Sequence, residues 1–242
     1  MLDGMTASWA EAPRPRLLLV AHGTRSAVGR RVLGRLLLET RKRLTGVDCR
    51  IAWVDVQAPG PSRALADGVP TVVVPAFLAR GFHVIHDVGR AVADAPGPVV
   101  QTPHLGSEPE VVRALVQRLA EAGATGVLGA DAVVLGAAGS KDEASLAETR
   151  ELAETLSDLL RVPVVAGFAS TASPTVAEVV RQLRGMGHQR IAVATHLLAP
   201  GFFADRIAAA GGDITSEPLG VHSEIVDLIV RRYRENVARI HL

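Results

Sequence analysis

Short runs of consecutive apolar residues alternate along this chain with longer stretches whose apolar positions recur every three or four residues. Residues 17–21, LLLVA, are such a run, the pattern of a strand covered on both faces. Val28, Val32, Leu33, Leu36 and Leu37 then fall at helical spacing, and Gly46 is placed to stop that helix. Strands are predicted over 50–54 and 71–76, a helix over 86–93, and a short strand over 99–101. A helix over 110–122 carries Val111, Val112, Leu115 and Leu119 on one face. The pattern then restarts with a strand over 131–136. Ser140 is predicted to cap the next helix, with Glu143 completing a capping box, and Leu152, Leu156, Leu159 and Leu160 form its apolar face. Strands over 162–166 and 190–195 enclose a helix over 176–184, and a helix over 222–237 closes the chain. Strands alternating with helices predict parallel pairing through right-handed crossovers.

The restart is a duplication. LLLVAHGTRS aligns with AVVLGAAGSK, AWVDVQAP with AGFASTASP, VVVPAFLARGF with IAVATHLLAPGF, and HLGSEPEVVRALVQR with PLGVHSEIVDLIVRR. Pro59 meets Pro174, Gly81 meets Gly201 and Gly106 meets Gly220, at separations of 115, 120 and 114 residues, so the register drifts only by loop length. The expected architecture is two duplicated, open, parallel-sheet α/β domains with helices on both faces and a cleft between them. The expected division is a tail over 1–15, a first domain over 16–125 and a second over 126–242.

Composition narrows the field. Hydrophobic residues make up 48% of the chain but aromatic residues only 3%, so the core is built from Leu, Val, Ile and Ala, which suits α/β layering. A net charge of +1 gives no global field for nucleic acid or a membrane surface. No apolar run approaches the roughly 20 residues of a membrane helix. The first 16 residues are polar, without the apolar segment of a signal peptide. A single cysteine, Cys49, excludes an intrachain disulfide and a cysteine-based metal cluster, and is consistent with a reducing cytoplasm. The expectation is a cytoplasmic monomer or homodimer.

The repeat also acts as an internal control. Residues held in both halves serve the fold, and polar residues found in only one half are candidates for function. Gly23 and Gly139, Pro59 and Pro174, and Gly81 and Gly201 are shared, and fit turn and backbone-approach duties. His22, however, faces Ala138, Asp55 faces Ser170, and His83 faces Phe203. The first half thus carries two imidazoles and a carboxylate that the second lacks. All three are expected at or just beyond the carboxyl ends of the first three strands, where open α/β sheets place ligands. Two imidazoles and a carboxylate can hold a divalent metal with coordination positions left open, and can accept protons near neutral pH. His196, at a second-half strand end facing Ala76, is placed to border the cleft or to serve the fold. His86 is expected to begin a helix, and His104, His188, His222 and His241 carry no supporting constellation.

LLLVAHGTR, WVDVQAP and FLARGFHVIHDV resemble the class II chelatases, specifically the sirohydrochlorin chelatases of the CbiX/SirB type, over nearly the whole chain after Arg16. The resemblance implies that His22 and His83 bind metal and act in its insertion. The family's glutamate in the second motif falls on Asp55, four residues before Pro59 and here the shorter acid. The implied reaction inserts Co2+ or Fe2+ into sirohydrochlorin, towards cobalamin or sirohaem, with the metal ion as substrate and no organic cofactor. ATP is not called for, and the chain has no G-x-x-x-x-G-K-[ST] loop. Arg25 and Arg80, beside the first and third motifs, are candidates to pair with the substrate's carboxylates. A histidine phosphohydrolase, which HGTR brings to mind, needs an arginine directly before the nucleophilic histidine, where this chain has Ala21. A metal or tetrapyrrole carrier would use the same ligands without catalysing insertion.

Overall fold

The computed structural model describes residues 14–81, 84–124 and 129–240, with the backbone alone at Val84 and Ile85. The first half runs β1 (Arg16–Ala21), α1 (Ala27–Arg43), β2 (Cys49–Trp53), α2 (Pro61–Leu65) and β3 (Thr71–Pro75). A π-helical turn (Val84–Val88) leads into α3 (Gly89–Ala93), followed by β4 (Val99–Gln101) and α4 (Pro109–Glu121). The second half runs β5 (Ala132–Ala137), α5 (Glu143–Leu160), β6 (Val164–Phe168), α6 (Val176–Gly185), β7 (Ile191–His196), α7 (Phe202–Ala208), β8 (Ile214–Thr215) and α8 (Ser223–Val237). Each half forms a four-stranded, all-parallel sheet, in the orders β2-β1-β3-β4 and β6-β5-β7-β8. The duplication in sequence is therefore a duplication of topology. None of the described helices is long and apolar enough to cross a membrane.

Local chemistry explains where the elements begin. Ser26 caps α1 by accepting from the Gly29 amide, while Thr24 Oγ1 accepts from the Ser26 amide at 3.1 Å to form the turn before it. The second half repeats the device, which corrects the expected cap. Ser140 accepts from the Asp142 amide at 3.0 Å, and Asp142 rather than Ser140 caps α5, through the Ala144 amide. The capping box lies instead on α6, between Thr175 and Glu178. The helix expected from His86 starts two residues earlier, as the π-helical turn. The sequence pattern missed α2, α7 and β8, which at 5, 7 and 2 residues are too short to show a period.

The central strands β1, β3, β5 and β7 are buried along their whole length. Their residues belong to core clusters, the largest of which runs continuously through both halves. The closing helices of the halves are exchanged: α8 packs on β3, α1 and α4, and α4 packs on β7. Arg231 of α8 fastens this crossing to Glu108 at 2.7 Å and to Glu110 at 2.8 Å. Arg232 joins Glu108 at 2.5 Å.

At the base of the first sheet, Arg16 is 2% exposed and bonds Asp48 at 2.9 Å and Asp67 at 2.9 and 2.8 Å. The bond from Arg16 is the main force that lowers the Asp67 carboxyl from its ordinary 3.8 to about 2. A carboxyl depressed in the folded state contributes stability that is complete above its unfolded pKa and lost as pH falls through its folded one. Stability is therefore expected to decline as pH drops from about 4 to about 2, and Asp67→Asn is expected to flatten that decline. Urea midpoints across this interval check it.

Candidate functional site

The carboxyl edge of the first sheet is built by two loops that hold each other. β1 ends at Ala21, and His22 follows it at the surface, its Nδ1 3.4 Å from the Gly23 carbonyl. β2 ends at Trp53, and the Asp55 amide donates to the His22 carbonyl at 3.0 Å, so the two predicted groups leave adjacent strands at one bonded junction. The Asp55 side chain is exposed and accepts from the Val56 amide at 2.8 Å. Gly23 makes the junction possible. Its φ is +95°, and a Cβ there would lie 2.0 Å from the Asp55 carbonyl oxygen. Gly139 has φ +93° and an equivalent clash of 1.9 Å with the Ser170 carbonyl, so this close approach belongs to the fold of both halves.

Gln57 ties the junction from the other side. Its Oε1 accepts from the Thr24 amide at 2.9 Å, and its Nε2 donates to the Thr24 carbonyl. No motif marks Gln57, yet the repeat holds the signal, because its counterpart is Ala172. A glutamine amide matches both backbone groups of one residue, which alanine cannot do.

Of the remaining predicted residues, Arg25 and Arg80 are both exposed beside this edge. The Arg80 amide donates to Glu148 Oε2 at 2.8 Å. His83 lies outside the described residues. The structure thus brings together His22 and Asp55, with Arg25 on the same turn as His22. Among the described residues, no three His, Cys, Asp or Glu side chains are grouped to hold a metal ion.

The second half forms a wall next to the His22 turn. A Cβ on Gly29 would lie 2.5 Å from the Pro200 carbonyl, and one on Gly201 would lie 3.2 Å from Thr24 Oγ1. Just beyond Gly201, Phe202 and Phe203 are 68% and 37% exposed, their rings packed edge to face at 5.6 Å. Glu148 of α5 reaches the first half, with Oε1 2.9 Å from His104 Nε2. Burial pushes its carboxyl up, but the bonds from His104 and the Arg80 amide outweigh burial and hold it below the usual carboxylate range. Glu148 and His104 line a cavity of about 340 Å³, together with Gly106, Glu108 and Arg232.

The other histidines divide by environment. His222 caps α8 by accepting from the Glu224 amide at 3.2 Å, and His188 lies 3.7 Å from Asp131. His196, at the end of β7, is 3% exposed, and its Nε2 has no hydrogen-bond partner among the described residues. Burial lowers its pKa to about 4, against an opposing pull from Glu148. Between about pH 4 and the ordinary 6.5, the unfolded chain therefore binds a proton here that the folded chain does not. This histidine makes stability rise with pH across that window, and His196→Leu is expected to remove the rise, as seen in thermal midpoints measured between pH 4 and 7.

The sequence model of the CbiX family matches residues 16–122 and 132–236, one match for each half. The chain belongs to the CbiX family. The two CbiX segments contain the two sheets, and only the first contains His22 and Asp55. Among solved structures, the sirohydrochlorin chelatase SirB from Bacillus subtilis subspecies spizizenii, in complex with cobalt, is similar at 20% identity. The match covers 93% of this chain and 96% of that one, with a TM-score of 0.73. SirB from Bacillus subtilis with Fe3+ is similar at 21% identity, over 94% and 97% of the two chains, with a TM-score of 0.74. CbiX, described as the terminal enzyme for biosynthesis of sirohaem in denitrifying bacteria, is similar at 20% identity, over 91% and 98%, with a TM-score of 0.68. At these identities the likeness is one of fold. Comparison with curated protein sequences gives no match.

Proposed function

We propose that this CbiX-family chain is a sirohydrochlorin chelatase that inserts a divalent cobalt or iron ion into the tetrapyrrole without ATP. The observation that carries the reading is the one-sided edge. His22 and Asp55 stand at one bonded junction of the first sheet, whereas the same junction in the second half carries Ala138 and Ser170. The two SirB relatives hold cobalt and Fe3+ in the solved structures that resemble this chain, which agrees with a metal-handling edge.

Insertion replaces two pyrrole protons with one metal ion. The site must therefore present the metal on ligands that can release it, and must take up protons near neutral pH. An exposed imidazole meets both needs, because its neutral form is a metal ligand and the same ring can accept a proton. His22 is assigned both duties, together with His83 as a second metal ligand. Asp55 supplies negative charge at the His22 junction, as proton acceptor or as an electrostatic anchor for the cation. The carboxylates on the macrocycle's rim pair with Arg25 and Arg80, which flank the edge. Phe202 and Phe203 offer exposed apolar surface to a flat conjugated ring.

The test is anaerobic incubation of the purified chain with sirohydrochlorin and Co2+, Fe2+ or Ni2+ in parallel, followed by the tetrapyrrole absorbance. The reading requires insertion faster than in protein-free controls with cobalt or iron. Binding of metal and macrocycle without acceleration would assign the chain to carriage instead.

A further inference from the structure

Contacts between the halves recur in pairs related by the repeat, as with α4 on β7 and α8 on β3, and comparing such pairs isolates what one half does for the other. α1 of the first half lies against the loops that follow β7 and β8. α5 of the second lies against those that follow β3 and β4. A Cβ on Gly220 would sit 3.6 Å from Val32 of α1, and one on the equivalent Gly106 would sit 2.9 Å from Glu148 of α5. Val32 and Glu148 are counterparts, 116 residues apart, as are Gly23 and Gly139. Around them, Pro218 corresponds to His104, Pro200 to Arg80 and Ala76 to His196. At one junction these four positions are all apolar, with the Arg118 guanidinium bonding the Leu219 carbonyl at 2.9 Å beside them. The other carries a carboxylate, two imidazoles and a guanidinium.

The fold does not require a carboxylate at this position, since the twin junction closes with Val32 in its place. Withdrawing a carboxylate from water costs free energy unless its bonds repay the loss. Glu148 has two such bonds, both to the first half: to His104 at 2.9 Å, on the loop after β4, and to the Arg80 amide at 2.8 Å, on the loop after β3. A charged acceptor on a backbone amide is among the stronger hydrogen bonds available. The loop held in this way carries Arg80 and leads in sequence to His83 and the π-helical turn, a feature frequent at functional sites.

We infer that Glu148 is a positioning residue lent by the second half, which fixes the Arg80 loop of the first half in its working conformation through the Arg80 amide and His104. Its effect on rate rests on the insertion reading above, whereas its effect on the loop does not. The second half is then a component of the site as well as a wall.

Two variants test this. Glu148→Val installs the residue of the twin junction, and Glu148→Gln keeps the shape and one acceptor oxygen. Hydrogen exchange at the Arg80 amide is expected to accelerate about tenfold or more in Glu148→Val and far less in Glu148→Gln. The kcat for insertion is expected to fall about tenfold in Glu148→Val, with partial recovery in Glu148→Gln, as for residues that orient a reacting group from behind. If Glu148→Val does not fold, Glu148→Ala is read in the same way. Unchanged exchange in the valine or alanine variant overturns the inference, and so does faster exchange with kcat intact. If the wild-type chain inserts no metal, the functional reading fails while the exchange comparison still decides the positioning role.

Discussion

His22→Ala is expected to lower the rate of metal insertion by roughly 10² to 10⁴-fold, the range for loss of a positioned proton acceptor, and to leave the fold intact. The second half supports the structural part of this expectation. Ala138 occupies the equivalent position, directly before Gly139 at φ +93°, and the β5 strand end and the turn after it form without an imidazole. His22 is also exposed, so truncation opens no core cavity. The catalytic loss follows from the two duties assigned to the ring. On that proposal, removing the ring takes away a releasable metal ligand and a proton acceptor for the pyrrole protons. His83→Ala is expected to fall by a similar factor, and the double variant little further, because groups that act as one unit do not add. Anaerobic insertion kinetics alongside thermal melts check this. Should the double variant insert at the wild-type rate, the assignment of both histidines is wrong.

Gly23→Ala is expected to carry the largest effect on stability near the site, about 3 kcal/mol or more. A left-handed φ costs an L-residue roughly 1–2 kcal/mol. Here the added methyl would also meet the Asp55 carbonyl oxygen at 2.0 Å, which backbone must move to relieve. For a chain of this size that corresponds to a fall in thermal midpoint of roughly 10 °C. Gly139→Ala provides the matched control, with a φ of +93° and a 1.9 Å overlap on Ser170. Both variants are expected to lose comparable stability. Only Gly23→Ala is expected to lose insertion at temperatures where the chain remains folded, because parting these loops breaks the bond from the Asp55 amide to the His22 carbonyl. Equal residual activity in the two variants would separate the site from this junction.

Burial on both faces makes the central strands legible in sequence. β1 and β3 were predicted to within one residue of their observed bounds, because a strand covered on both sides has no polar alternation to blur it. The duplication is legible because glycines and prolines that turns require recur in order in both halves, and the two sheets repeat one strand order. Capping residues were harder to place. Ser140 has the right chemistry for a cap, but its hydroxyl is used one turn earlier, and Asp142 takes the helix end. Gln57, His104 and Glu148 were not singled out, because each acts on a backbone group or side chain brought near only by folding. Glu148 bonds across 44 residues to His104 and 68 to Arg80. Each of the three nevertheless faces an apolar counterpart, Ala172, Pro218 or Val32, so applying the one-half-only rule to every polar position would have found them.

The central claim is that the chain exchanges protons for metal within the macrocycle instead of merely holding the two together. Its most direct measurement is proton release in weakly buffered anaerobic solution, recorded together with the tetrapyrrole absorbance after Co2+ is added to the chain with an excess of sirohydrochlorin. The account predicts two protons per macrocycle metallated, over many turnovers per chain and faster than in the absence of protein. An absorbance change that stops at one macrocycle per chain, with no proton release beyond the protein-free rate, would contradict it.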